Sequence, residues 1–399
     1  MKQMTLDWND IPVSLASVVV FRNVVKQKPL QALRHFLTLK TDDAVRCADA
    51  YSEFVNALYA HSFDLGVYLR DALFEDENEY VLARAHGDKI PAVLQYCVDQ
   101  ELMLFSALSR LDPQKLAEKA GNGGYVAPFE NTCFEYGALY EERMANVQKY
   151  GYGIFVANRM FTLQEGNIVP VRSADPITLD QLIGYEDERG QVIKNTRALL
   201  DGKPAANILL CGDAGTGKSS TVKAVTNLLA CEGLRLIELR KEQILQLPIV
   251  MEELSRNPLK FIIFIDDLSF NKNDDYFGTL KAILEGSVSA RNKNTVIYAT
   301  SNRRHLIKES FSDRMGDEIH QNDTMQELIS LSERFGLTVL FSKPNKDLYL
   351  RIVHQLAEAK QIKKDASELD LLAEAFALRK GGRSARAADQ FTDFLLTQE

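Results

Sequence analysis

Eight residues constrain this chain more than any others. Gly212-Asp213-Ala214-Gly215-Thr216-Gly217-Lys218-Ser219 fits the pattern G-x-x-x-x-G-K-[ST], after an apolar strand signal, NILLC at 207–211, and before a helical pattern from about Lys218 to Ala230. A backbone that curls around a triphosphate with its N–H groups inward needs glycine where dihedrals are unusual and the approach is close. Gly212, Gly215 and Gly217 supply that, and the following helix N-terminus adds positive potential. The alternative is a glycine-rich turn that happens to precede Lys-Ser. On the phosphate reading, Asp213, Ala214, Thr216 and Ser220 belong to the same cradle, Lys218 reaches the β and γ phosphates, and the Ser219 hydroxyl ligates Mg²⁺.

The surrounding pattern predicts the fold. Apolar strands LRLIEL (234–239), FIIFID (261–266) and TVIYATS (295–301) alternate with helical segments, one of them carrying Val192, Ile193 and Leu199. Short, nearly continuous apolar strands separated by helices indicate a parallel sheet covered on both faces. The strand from Phe261 ends in Asp266-Asp267, expected beside the P-loop strand. There Asp266 would hold the Mg²⁺ shell and Asp267 would orient or deprotonate water; taken alone, the pair reads equally well as a helix cap. The next strand ends in Asn302, whose amide suits either a γ-phosphate contact or an N-cap. Arg303, Arg304 and His305 follow, as subunit-contact, polyanion-binding or solvated residues.

Composition sets outer limits. The chain has 399 residues, 47 Lys plus Arg against 55 Asp plus Glu, and 46% hydrophobic residues, which excludes disordered and low-complexity classes and predicts two or three domains. A net charge of -8 excludes a surface built throughout for polyanions. Five cysteines at 47, 97, 133, 211 and 231 lack C-x-x-C spacing, so reduced, packed thiols are expected. The N-terminus has no leader pattern, and its apolar stretch from Ile11 to Phe21 is about half a membrane span. A cytoplasmic protein with no membrane association is the expectation. From about 12 to 150 apolar residues recur at helical spacing, and Tyr51, Phe54, Tyr59 and Phe63 read as a core stripe. The GNGGYVAP stretch at 121–128 interrupts the helices, and β-favouring runs flank Glu165-Gly166-Asn167 as a hairpin.

The order P-loop, Asp-Asp, Thr-Ser-Asn, then Leu331-Ser332-Glu333-Arg334-Phe335-Gly336, then a helical segment containing Gly381-Gly382-Arg383-Ser384-Ala385-Arg386, resembles the AAA+ ATPases over about residues 176–399. The stretches LIGYEDERGQVIKNTRALLDGKPAANILLCGDAGTGKSS and FIDDLSF…YATSNRRHL are most similar to a bacterial AAA+-like ATP-binding family of uncharacterised function. The Asp-Asp pair and SERFGLTV are also similar to replication initiators and helicase loaders. The resemblance implies Walker A roles for Lys218 and Ser219, Walker B roles for Asp266 and Asp267, sensor 1 for Asn302, and adenine contact at Gly184-Tyr185. It also implies an arginine finger at Arg334 acting on the neighbouring subunit's nucleotide, sensor 2 at Arg383 or Arg386, and hence a homo-oligomeric ring or arc.

The expected fold class is therefore α/β: a P-loop NTPase (AAA+) parallel sheet flanked by helices over 176–342, a helical lid over 343–399, a β-like connector over 151–175, and a mainly helical N-terminal domain over 1–150 that would hold an unidentified protein partner. ATP and Mg²⁺ are the implied cofactors. Hydrolysis coupled to partner remodelling is the first expectation. An ATP-loaded switch or helicase-loader-like protein with little turnover is the second. The segment RKEQILQLP lacks the aromatic-hydrophobic-Gly element of threading machines, and no helix-turn-helix follows the lid. Nucleic-acid remodelling, through a groove near Arg303 and Arg304, is a third and unsupported expectation.

Overall fold

The computed structural model describes residues 10–40, 43–121, 125–268, 275–285, 292–302 and 333–397. Arg303, Arg304, His305, Leu331 and Ser332 lie outside the described residues. The chain divides into two compact units, Met1–Ala157 and Asn158–Glu399.

The first unit is helical: α1 (Ile11–Ala16), α2 (Arg22–Val25), α3 (Lys28–Thr38), α4 (Ala44–Tyr59), α5 (Leu65–Glu75), α6 (Glu79–His86), α7 (Ala92–Leu108), α8 (Pro113–Ala120), α9 (Tyr136–Ala145) and α10 (Val147–Tyr150). Side chains set many of the starts. Asp43, Asp64, Asn78 and Asp112 each accept a first-turn backbone N–H, satisfying donors that a helix leaves open. The core is aromatic, with Phe21 edge-on to Phe105 and Tyr140 at 5.8 and 5.3 Å and Phe54 edge-on to Phe129 at 5.3 Å. Of the expected stripe, Tyr51 and Phe54 are buried, but Tyr59 and Phe63 are 37% and 67% exposed. The buried face of α4 runs through Cys47, Tyr51, Phe54, Val55 and Leu58, and Tyr59 and Phe63, four residues apart, fall on the side turned away from it.

The second unit is a seven-stranded sheet formed by β1 (Met160–Gln164), β2 (Asn167–Pro170), β3 (Ile208–Gly212), β4 (Leu234–Leu239), β5 (Lys260–Ile265), β6 (Thr295–Ser301) and β7 (Leu337–Phe341), in the order β2-β1-β4-β5-β6-β3-β7. All neighbours are parallel except β1 with β2. Every residue of β3 and β6 is buried, as expected where both faces are covered, and α11 (Glu186–Leu200) and α12 (Lys218–Leu229) pack their apolar residues on one face with Ile208, Leu210, Phe264 and Tyr298. Helices α13 (Leu247–Leu254) and α14 (Asp275–Leu284) also belong to the α/β portion.

Three features differ from the sequence expectation. The strand carrying Asp266-Asp267 is not beside the P-loop strand, because β6 lies between β5 and β3. The hairpin around Glu165 and Gly166, both at positive φ (51° and 84°), does not merely connect: β1 joins the sheet edge parallel to β4, with Phe161 opposite Ile237. LTVLF at 337–341, not read as a strand, is β7 on the other side of β3. Helices α15 (Lys346–Ala359), α16 (Ala366–Arg379) and α17 (Ala385–Leu396) form the C-terminal lid around their own apolar cluster of Tyr349, Ile352, Val353, Ala373, Phe391 and Leu395. Cys47 and Cys211 are packed as expected, whereas Cys133 and Cys231 are exposed.

Candidate nucleotide-binding site

The carboxyl ends of β3, β5 and β6 open into a cavity of about 770 Å³. The loop from β3 to α12 forms its floor. Gly212, Gly215 and Gly217 sit at φ 134°, 75° and 90°, in the region that side chains avoid. Gly212 is the most constrained: a Cβ there would lie 2.0 Å from the Phe341 carbonyl oxygen, on the neighbouring strand. Gly212→Ala is therefore expected to lower the stability of the sheet unit by about 3 kcal/mol. Urea unfolding followed by circular dichroism measures this, and an unchanged midpoint would refute the close approach.

The loop is tied from within. Thr216, 2% exposed, donates its hydroxyl to the Asp213 carbonyl at 2.9 Å, and Asp213 N–H reaches the Phe341 carbonyl at 3.3 Å. Among the described residues, the backbone amides of 214–220 meet no protein acceptor, and no side chain caps α12. Such a run of open donors at a helix N-terminus favours an anion.

Lys218 is 5% exposed. Its ammonium donates to the carbonyls of Gly212 (3.1 Å) and Asp213 (2.7 Å) and to Asn302 Oδ1 (2.9 Å). Burial draws its pKa below the ordinary lysine value, against the pull of Asp213, Asp266 and Asp267. Ser219 Oγ donates to Asp266 Oδ1 at 2.6 Å. The same oxygen accepts from Thr300 Oγ1 at 2.5 Å and from Asp267 N–H at 3.1 Å, so the second carboxylate oxygen is left without a partner among the described residues. Asp267, at φ 51°, donates its amide to Thr300 Oγ1 at 2.9 Å, and its Oδ1 accepts from Asn302 Nδ2 at 2.8 Å.

The opposite end of the cavity is apolar. Ile183, Gly184, Tyr185, Phe341, Ile352 and Leu356 line it. Tyr185 takes a left-handed conformation (φ 60°) before α11, lays its ring 5.3 Å from Phe341, and donates its hydroxyl to the Ser342 carbonyl at 2.7 Å. Burial pushes that hydroxyl's pKa up to about 12. The lid closes a third side. Arg386 N–H donates to the Gly215 carbonyl at 3.2 Å, and the Arg386 side chain borders the cavity.

Two expected site residues are not brought here. Arg383 is bound to Glu374 through Nε (2.8 Å) and Nη2 (2.6 Å) and does not line the cavity, so of the two lid arginines Arg386 is the one in reach. Arg334 lies before β7, at the amino end of the strands, where its Nε meets Glu285 at 2.5 Å and it borders a second cavity of about 640 Å³. Sequence reasoning missed Thr300, the hydroxyl joining both aspartates, and Arg189, whose guanidinium donates to the Leu182 carbonyl beside the apolar end and whose pKa is drawn down by burial. Thr300 was visible as the residue two before Asn302. Arg189 carried no signal.

The residues fit a magnesium nucleoside triphosphate. A hydroxyl and a carboxylate side by side are oxygen donors suited to a hard cation that takes only one or two protein ligands, and no group of three or more His, Cys, Asp or Glu gathers among the described residues. No helix among them is long and apolar enough to cross a membrane.

Comparison with solved structures finds the Thermotoga maritima RuvB Holliday junction branch migration motor at 16% identity and a TM-score of 0.37. The match takes in 55% of this chain and 63% of that one, a little under two thirds of its length. AMPPCP-bound DnaA from Aquifex aeolicus is similar at 18% identity and a TM-score of 0.40, over 56% of this chain and 67% of that one. No curated protein matches. The sequence pattern of the family described as "Protein of unknown function (DUF815)" matches residues 155–399, well over half the chain, and the chain belongs to that family.

Proposed function

We propose that this protein is a Mg²⁺-dependent ATPase of the AAA+ type, acting as an oligomer and passing its nucleotide state to a partner through the N-terminal helices. The observation that carries the reading is the run of open amides at 214–220 in the cavity that also holds Lys218, the Ser219–Asp266 pair and the Asp267–Asn302 pair. The apolar end beside Gly184 and Tyr185 suits a purine, and the loop amides suit its phosphates.

In hydrolysis water attacks the γ-phosphorus, the bond to the β–γ bridging oxygen breaks, and ADP leaves with phosphate. Lys218 and the loop amides hold the β and γ oxygens. Ser219 and Asp266 would hold Mg²⁺, which when bound neutralises charge on those oxygens. Asp267 orients the water and accepts its proton on a carboxylate oxygen, while Asn302 fixes that carboxylate. Arg386 from the lid meets the γ-phosphate, and Arg334 is supplied by an adjacent subunit.

One observation favours the second reading, an ATP-loaded switch. Asp267 Oδ1 is already engaged by Asn302, and Asn302 in turn by Lys218. Asp267→Asn separates the two. On the ATPase reading, phosphate release falls about 10²- to 10⁴-fold while ATP affinity holds within a few-fold. A wild-type rate already at background and unchanged by the substitution would leave only the switch.

A further inference from the structure

The two units differ in how they distribute charge. Met1–Ala157 is acidic, with 21 Asp and Glu against 15 Lys and Arg, but residues 11–40 hold five of those cations and none of the carboxylates. An even spread would place about four carboxylates there. The cations are Arg22, Lys26, Lys28, Arg34 and Lys40; Arg34 is half-buried, the others are exposed, and none has a carboxylate partner among the described residues.

The fold gathers them. Helices α1 and α2 both pack against α3, and the outward side of α3 presents Lys28, Gln31 and His35, with Arg34 beside them. Arg22 sits at the end of α1, where its Nη1 donates to the carbonyls of Ala16 (2.9 Å) and Val18 (3.3 Å). Lys119 adds a further cation from α8, its ammonium on the Leu37 carbonyl at 2.8 Å at the end of α3. Two exposed acids flank the stretch, Asp10 at the N-cap of α1 and Asp43 at that of α4, and the acid beneath it is turned inward. Glu101 is buried beneath the turn between α1 and α2, its carboxylate accepting the amides of Val19 (2.7 Å), Val20 (3.0 Å) and Phe21 (3.0 Å). On the far flank, α4 packs on α3 and carries Asp49 and Glu53 outward together with Arg46, which bounds the patch.

We propose that this α1–α3 face binds the sugar–phosphate backbone of duplex nucleic acid without reading its sequence. The composition of the face favours that partner over an acidic protein. Stable protein interfaces rest on aromatic and large apolar anchors, whereas the aromatic residues here, Phe21 and Phe36, are fully buried and only Val13 and Val19 stand out as exposed large apolar side chains. Apart from the single His35 imidazole, the face exposes no ring on which a run of unpaired bases could stack. What remains is a row of Lys, Arg, Gln and Asn donors, the chemistry that contacts phosphates. Helix α3 spans about 16 Å, the axial rise of about five nucleotides of one strand.

The test is fluorescence anisotropy of the full chain with a labelled duplex of arbitrary sequence. Binding at low salt should weaken about 100-fold between about 50 and 200 mM salt, as four phosphate contacts require. The double substitution Lys26→Glu/Lys28→Glu should weaken it about 10-fold, while Lys89→Glu/Lys149→Glu, the same change in net charge elsewhere in the unit, should alter it less than about 3-fold. Both pairs are exposed, and matching thermal midpoints establish that each variant folds. No binding at low salt, or equal loss in the two double variants, overturns the proposal. So does binding to vesicles containing phosphatidylserine with none to the duplex, which would make the face a membrane contact.

Discussion

Replacing Lys218 by alanine is expected to reduce ATP turnover about 10³-fold or more and to leave the ligand-free fold no less stable than the wild type. Turnover should fall because a charge aimed at transferring phosphoryl oxygens, in a site shielded from water, is among the largest single contributions a side chain makes to such a reaction. Stability should hold for the opposite reason. Lys218 is buried, and although it makes three hydrogen bonds its pKa lies below the ordinary value, so burial of the ammonium outweighs the attraction of the nearby carboxylates. On the proposed reading the lysine serves a ligand more than the fold. The sign with pH follows. Because the folded chain holds this proton more weakly than the unfolded chain, stability rises with pH between the lowered folded pKa and the ordinary lysine pKa, and Lys218→Ala removes that rise. With ATP at about 1,000 times Kd the wild type should gain about 4 kcal/mol, a thermal shift that the variant loses. Scanning calorimetry across pH, with and without Mg-ATP, reads all of these. A variant that melts far below the wild type without nucleotide would make Lys218 a structural residue.

What the sequence disclosed about this site, and what it withheld, divides by range. The P-loop, Asp266-Asp267 and Asn302 are legible because each is a short run at a strand end, and the alternation of strand and helix places all strand ends of one polarity on one side. Strand order is not local. Nothing in FIIFID says that β6 will stand between it and β3, and the consequence is chemical: Thr300 on β6 is the hydroxyl that joins the two aspartates that follow β5. The lid arginines show the same limit. Arg383 and Arg386 are three residues apart and equivalent in pattern, and the distinction comes from packing, because Glu374 on α16 engages Arg383 while the first turn of α17 rests on Gly215. Tyr185 was singled out by its position beside Gly184, but its hydroxyl bond to Ser342, 157 residues onward, could be seen only in the fold.

Arg334→Ala is expected to lower turnover about 10³-fold or more while leaving ATP affinity nearly unchanged, the effect of removing a guanidinium that acts only on the transferring phosphoryl group. On the proposed reading, its location requires that the effect be felt between subunits. Arg334 precedes β7, and β7 runs parallel to β3 for five residues, Ile208 opposite Leu337 through Gly212 opposite Phe341. The P-loop begins at the far end of that ladder, about 16 Å away along the strands, farther than an arginine side chain extends. A chain therefore cannot bring Arg334 to its own Lys218, but a neighbour presenting the amino end of its β7 can. Mixing supplies the decisive measurement. Arg334→Ala subunits keep a complete P-loop, and Lys218→Ala subunits keep the arginine, so random co-assembly at equal amounts places the two intact halves together at roughly a quarter of interfaces. Phosphate release should reappear at about that fraction of the wild-type rate in a mixture of two nearly inactive proteins, and should rise with total protein concentration. A mixture no more active than its components, when light scattering shows that they co-assemble, would place Arg334 outside the reaction and make its ion pair with Glu285 a structural one.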